Sequence, residues 1–146
     1  MSVWAVTSQR ECHHGICYFK HGDFKYEYVL IDPYQHQTGF THADGGNPFV
    51  RIERSGVLHI SSEYAWDGPS GPAIDTENFM RGSLVHDALY QLMRERVLDH
   101  RKDRKRADQL LRTIVREDGM SWIRAWWVYR GVRLCGGSAA RPSGSP

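Results

Sequence analysis

The chain has 146 residues, of which 40% are hydrophobic and 25% are charged, and its formal net charge is +2. These values predict one soluble globular domain that is long enough to bury a hydrophobic core. They exclude a protein composed mainly of charged residues. A net charge this small does not favour a specific nucleic acid as partner. No apolar run approaches the roughly 18 residues that a transmembrane helix needs.

Cysteine usage and the N-terminal sequence indicate the compartment. The three cysteines are Cys12, Cys17 and Cys135, and the first pair is not spaced as CxxC, so no disulfide framework is predicted. Cys12 and Cys17 with His13 and His14 offer zinc ligands, although we favour a flexible arm with incidental histidines. Without the basic and apolar regions of a signal peptide, the sequence favours the cytoplasm, where thiols stay reduced.

The N-terminal half has the alternating pattern of short β-strands. Residues 24–31 alternate apolar with polar positions and predict a half-buried strand, whereas residues 35–48 are rich in glycine and predict a loop. Residues 49–53 and 57–61 alternate in the same way. Residues 54–56, which end in a glycine, suit a hairpin turn between these two strands.

From Asp75 the apolar residues recur at helical spacing. A first helix is predicted from about Arg81 to Leu98, and the second carries Asp108 and ends at Gly119, a C-terminal capping glycine. A third helix begins with Ser121 as its N-cap. Its large apolar residues are interpreted as a wedge in the core: Trp122, Ile123, Trp126, Trp127 and Tyr129.

The predicted fold is therefore α+β, with an N-terminal antiparallel β portion packed on three C-terminal helices. Residues 1–134 are predicted to form a single domain, and residues 135–146, rich in glycine, serine and proline, a flexible tail. Residues 94–106 between the first two helices are strongly basic. We favour a solvated loop there, and a contact with anionic lipid or phosphate is the alternative.

The residues with the clearest chemistry lie on the first two helices. His86 and Asp87 are neighbours, so their side chains diverge by about 100° and are not expected to pair with each other. Tyr90 lies one turn after His86 on the same face. Asp108 is predicted to accept a hydrogen bond from one nitrogen of His86, which fixes the tautomer and leaves the other nitrogen free as a base.

A glycine loop precedes this pair. Gly68 and Gly71 allow backbone carbonyls to converge, and carbonyls together with the Asp87 carboxylate are ligands that calcium prefers. A cation there would polarise an ester carbonyl while His86 activates a water molecule. The alternative is that the loop is only a tight connection.

The glycine loop, the His-Asp-x-x-Tyr pattern at His86 and the later Asp108 resemble secreted and parvoviral phospholipases A2. The resemblance covers residues 64–112 and implies a helical part like that of these enzymes. It implies that His86 is the general base, that Asp87 with Gly68 and Gly71 binds Ca²⁺, and that Tyr90 and Asp108 orient the histidine. It implies a lipid or membrane surface as partner.

A second resemblance covers most of the chain. The motifs Trp-Asp-Gly-Pro-Ser-Gly-Pro, Ser-Leu-Val-His-Asp-Ala-Leu-Tyr, Arg-x-x-Ala-Asp and Tyr-x-x-Val-Arg-x-x-Gly-Gly are similar to a family of small proteins of unknown function encoded in tailed bacteriophages and prophages. This resemblance implies a location in the bacterial host cytoplasm during infection or in the virion, with phage structural proteins as partners.

The sequence therefore leaves two functions open. The leading one is a phage-encoded, metal-dependent acyl-ester hydrolase, and the alternative is a non-catalytic virion or tail component that acts as an interaction module. A histidine and an aspartate on neighbouring helices also occur as a buried polar pair that fixes helix packing. A metal-dependent phosphohydrolase is disfavoured, because such enzymes need further histidine ligands on neighbouring helices.

Overall fold

A computed structural model of the chain describes residues 9–20, 28–67 and 76–144. Within these residues, antiparallel strands precede the helices, and the predicted α+β class is confirmed. The strands form two sheets of four, with the orders β1-β2-β3-β8 and β4-β7-β6-β5. The strands are β1 Gln9–His13, β2 Ile16–Lys20, β3 Tyr28–Leu30, β4 Tyr34–Gln37, β5 Gly45–Gly46, β6 Val50–Ile52, β7 Val57–Ile60 and β8 Ala65–Trp66.

The strand predictions are confirmed in part. The hairpin of β6 and β7 has the predicted position, and Gly56 in its turn has a φ of +90°. Residues 35–48 were predicted as a loop, which is wrong at two places, because they contain most of β4 and all of β5. Residues 24–27 of the predicted first strand lie outside the described residues.

A disulfide joins the two strands of the N-terminal hairpin. Cys12 and Cys17 lie opposite each other in β1 and β2 and are bonded, so the prediction that no disulfide forms is wrong. The bond also removes both thiolates from the zinc alternative, since thiolate is the form that ligates the metal. Cys135 is free and exposed.

Helix α1, Glu77–Arg94, lies at the centre of the fold. It packs against α2, α4 and strands β1 and β6, and it is buried on most of its circumference. Trp66 at the end of β8 is buried and donates a hydrogen bond from Nε1 to Ser83 Oγ at 3.1 Å, which ties the first sheet to α1. The helix begins and ends four residues earlier than predicted.

The remaining helices are α2 Arg104–Glu117, α3 Trp122–Cys135 and α4 Gly137–Ala140. The predicted cap of α3 is confirmed, because Ser121 Oγ accepts a hydrogen bond from the Arg124 amide. Gly119 follows α2 with a φ of +98°, as expected of a capping glycine. The segment predicted as a flexible tail contains α4, which packs on α1 and α3 and buries Ala140.

The predicted core wedge of α3 is wrong. Ala125 is the buried residue of this helix, whereas Trp122 is 67% exposed and Trp127 is 65% exposed. Ile123 and Trp126 are exposed as well. In the part of the chain that the structure describes, no helix is both long enough and apolar enough to cross a membrane.

Candidate functional site

The candidate site lies where α1 and α2 run antiparallel. Arg81 near the start of α1 contacts Asp118 after α2, whereas Tyr90 near the end of α1 contacts Arg104 at the start of α2. The helices approach closely at Gly82, where an added Cβ would lie 2.8 Å from Val115 Cγ1. This close approach brings side chains of α1 within hydrogen-bonding distance of α2 one turn further along.

Asp108 of α2 is the centre of the site. Its side chain is fully buried and accepts hydrogen bonds from His86 Nε2 at 2.7 Å and from the Tyr90 hydroxyl at 2.6 Å, both on Oδ1. Arg133 Nη1 of α3 donates to Oδ2 at 2.8 Å. The prediction that His86 contacts Asp108, with Tyr90 nearby, is thus confirmed.

The second nitrogen of His86 faces Asp87. His86 Nδ1 lies 3.9 Å from Asp87 Oδ1, an ion-pair distance that is too long for a hydrogen bond. The expectation that these neighbours do not pair is therefore wrong, because their charged atoms lie within ion-pair distance. With Nε2 donating to Asp108, Nδ1 is the position that holds the lone pair in the neutral ring.

Burial and charge act in opposite directions on His86. Burial lowers the pKa of the imidazole, but the hydrogen bond to Asp108 and the charge of Asp87 outweigh it, so the pKa of His86 is raised. Asp108 is also desolvated, yet the bonds from His86, Tyr90 and Arg133 hold the pKa of its carboxyl below the usual value. The pair is therefore an imidazolium and a carboxylate over a wider pH range than free side chains.

Asp87 has a different environment. One third of its side chain is exposed, but the surrounding atoms desolvate the carboxylate. This desolvation raises the pKa of Asp87, and the charge of Asp67 raises it further. A cation beside Asp87 would oppose both effects and favour the charged form of this carboxylate.

Three residues of the site were not predicted. Arg104 donates from Nε to the Tyr90 hydroxyl at 3.2 Å, and Arg133 bonds Asp108. Gly136 leaves room for the Tyr90 side chain, because a Cβ at residue 136 would lie 2.7 Å from the Tyr90 hydroxyl oxygen. All three stand in the motifs Arg-x-x-Ala-Asp and Tyr-x-x-Val-Arg-x-x-Gly-Gly, but a motif alone does not show that distant segments meet at one carboxylate.

The proposed metal ligands are only partly within the described residues. Gly68 and Gly71 lie outside them, so the loop prediction stays a prediction. Among residues 9–20, 28–67 and 76–144, no group of three or more histidine, cysteine, aspartate or glutamate side chains converges as a metal site. Asp87 is therefore the one proposed ligand whose surroundings the structure describes.

Comparison with known proteins gives a match over part of the chain and no function. A family model described as "Protein of unknown function (DUF1353)" matches residues 70–132, which include His86, Asp87, Tyr90 and Asp108. No curated protein and no solved structure matches the chain. Over these residues, which are less than half of its length, the chain is similar to a family whose function is unknown.

Proposed function

We propose that the protein is a phospholipase-A2-like acyl-ester hydrolase in which His86 is the general base. The observation that carries the proposal is the 2.7 Å hydrogen bond from His86 Nε2 to the buried Asp108 carboxylate. This bond fixes the ring and its tautomer, and above the raised pKa of the imidazole it leaves Nδ1 free to accept a proton. Tyr90 holds the same carboxylate oxygen at 2.6 Å, so Tyr90 and Asp108 act as positioning residues.

The proposed reaction is the hydrolysis of an acyl ester by water. His86 Nδ1 removes a proton from the water, whose oxygen forms a bond to the carbonyl carbon and gives a tetrahedral intermediate. Collapse of this intermediate breaks the ester C–O bond, and the imidazolium returns the proton to the leaving alkoxide. The Asp108 carboxylate stabilises the imidazolium while it exists.

Calcium is the cofactor that the resemblance implies, with Asp87 as its carboxylate ligand. The proposed donors, one carboxylate and the carbonyls of Gly68 and Gly71, are all oxygen, as calcium prefers. Asp87 suits this role because its side chain is partly exposed and lies 3.9 Å from the base. A bound cation would supply polarisation of the ester carbonyl.

The proposed test measures the release of fatty acid from phospholipid vesicles with calcium in excess. We expect turnover by the wild type and its loss in His86→Gln, a variant that can still donate to Asp108 and should remain folded at the temperature of the assay. The control His59→Gln removes a histidine of β7 and should keep full activity. Turnover that survives in His86→Gln would contradict the proposal.

A second candidate function is a non-catalytic interaction module that binds a phage structural protein. The observation in its favour is the outer face of α3, where Trp122 and Trp127 are each about two thirds exposed. Exposed apolar patches of this kind are typical of interaction sites. This function predicts no lipid turnover by the wild type, and a cost of about 1–3 kcal/mol for His86→Gln if the pair serves only packing.

A further inference from the structure

A pocket lies beside Arg104 and Arg133, two of the residues that contact Asp108. It has a volume of about 350 Å³ and opens between the segment before α2, the end of α3 and the start of α4. We name it the arginine pocket, and its lining residues are His100, Arg101, Arg104, Arg133, Gly137 and Arg141. It shares Arg104 and Arg133 with the network around Asp108, but none of the residues proposed above for catalysis or metal binding lines it.

The arginine pocket holds an excess of positive charge. Its described lining has four guanidinium groups and no carboxylate. Asp99 and Asp103 are near in sequence but are engaged elsewhere. Asp99 accepts hydrogen bonds from backbone amides, and Asp103 bonds His42 at 3.1 Å and the Asp99 amide at 2.9 Å.

Two of the arginines are held in place by the protein. Arg104 Nη2 donates to the carbonyls of Val132 and Arg133 at 2.8 and 2.7 Å, and Arg133 Nη1 is fixed by Asp108. Their orientation is therefore set before any ligand arrives, which lowers the entropy cost of binding. Gly137 leaves the wall open, because a side chain there would begin 3.5 Å from Arg104 Nη1.

The other two arginines are available. Arg101 and Arg141 are exposed, and in the described part of the chain no carboxylate pairs with either side chain. Like charges this close to each other repel, so an anion that bridges them would relieve the repulsion. Two oriented and two free guanidinium groups around one opening match an anion with several oxygen atoms.

We propose that the arginine pocket binds a phosphate group. A phosphate offers three or more acceptor oxygens and close to two negative charges, and guanidinium groups bind it through paired hydrogen bonds. The volume of about 350 Å³ can hold either a free phosphate or the headgroup of a phospholipid. The proposal does not depend on any chemistry at His86.

The experiment compares two double variants that each remove two exposed arginines. The pocket variant is Arg101→Gln with Arg141→Gln. The control is Arg10→Gln with Arg54→Gln, two exposed positions on the β-sheet half whose side chains make no ion pair in the described residues. Calorimetry with inorganic phosphate and cosedimentation with phosphatidylglycerol vesicles, both at low ionic strength, test the two sources of the phosphate group.

We expect the pocket variant to bind at least about tenfold more weakly than the wild type and the control, because it loses charged hydrogen bonds. This loss in the calorimetric arm identifies free phosphate, and its restriction to vesicles identifies a lipid headgroup. No binding by the wild type in either arm, or an equal effect of both double variants, would overturn the proposal. His86→Gln should bind phosphate normally, which separates this test from that of the proposed hydrolase.

Discussion

Helix α3 is richer in apolar residues than α1, yet α1 is largely buried and α3 is largely exposed. Helix α1 packs against both neighbouring helices and strands of both sheets, whereas α3 packs against α2 and α4. The large apolar residues of α1 are buried, while three tryptophans of α3 are exposed. The comparison shows that the number of neighbouring elements, more than apolar content, decides whether a large side chain enters the core.

Helices α1 and α3 both contact the Asp108 carboxylate of α2. Removing this carboxylate should have the largest effect on stability. Asp108→Ala leaves His86, Tyr90 and Arg133 without their acceptor inside the protein. Removing one partner of a buried ion pair costs about 3–5 kcal/mol, and we expect a loss of that size in the free energy of unfolding measured in urea.

Two controls make the Asp108 measurement specific. Asp108→Asn keeps an acceptor oxygen and should lose less stability than the alanine variant. Asp44→Ala removes an exposed carboxylate that lies 3.4 Å from Arg51, and surface pairs contribute about 0–1 kcal/mol. A cost for Asp108→Ala as small as that for Asp44→Ala would show that the network does not hold the helices together.

Two helical glycines test the same comparison between α1 and α3, with a smaller expected change in stability. Gly82 of α1 has no room for a side chain, because its added Cβ would lie 2.8 Å from Val115 Cγ1 and 3.0 Å from Leu111 Cδ1. Gly131 of α3 has no atom within 4 Å of the same position. Overpacking should make Gly82→Ala cost about 1–3 kcal/mol, whereas Gly131→Ala should stabilise the helix by up to about 1 kcal/mol.

Thermal unfolding of the two glycine variants measures this difference directly. The substitution and the helical propensity are the same in both, so the sign of the change reports only the surroundings. If both variants become more stable, α1 and α2 are not in close contact at Gly82. If both become less stable, α3 is packed more tightly than the structure indicates.

The sequence predicted the elements that depend on local patterns. The hairpin of β6 and β7, the Ser121 cap and the capping Gly119 follow from local turn and cap chemistry, which needs no tertiary contact. The contact of His86 with Asp108 was also predictable, because Tyr90 and His86 share a helix face and the next helix runs back along the first. These predictions need only residues a few positions apart in sequence, or two consecutive helices that run antiparallel.

The predictions that failed depend on contacts between distant segments of the chain. Arg133 reaches Asp108 from a separation of 25 residues, and no periodicity encodes that approach. The tryptophans of α3 were placed in the core because large aromatic residues are usually buried, yet α1 is already packed against α2, α4, β1 and β6. The pairing of Cys12 with Cys17 needed the register of β1 and β2, which the irregular N-terminal pattern did not indicate.

The smallest expected effect concerns the pH dependence of stability, which the buried network around Asp108 changes through His86 of α1. The groups facing His86 are Asp87 on the same helix and Asp108 on α2, with Arg133 of α3 and Arg104 bonded around Asp108. Burial lowers the pKa of His86, but Asp108 and Asp87 outweigh this effect and raise the pKa in the folded protein. A raised pKa means that the folded state binds the proton more tightly than the unfolded state does.

The sign of the effect follows from this difference. The contribution of His86 to stability is fully present below its ordinary pKa of 6.5 and is lost as the pH rises through the raised folded value. His36, whose pKa burial lowers, contributes with the opposite sign, and its pH window lies below the ordinary pKa and not above it. The informative quantity is therefore the difference in unfolding free energy between the wild type and His86→Gln, measured across neutral to alkaline pH.

We expect this difference to shrink as the pH rises, because the charge-dependent part of the contact disappears when the imidazolium loses its proton. Asp87→Asn removes one of the two negative charges and should move the change to lower pH. Asp44→Asn, outside the network, should leave it in place. A difference that stays constant over this range would mean that His86 is neutral in the folded protein throughout, and that the contact with Asp108 is a hydrogen bond without an ion pair.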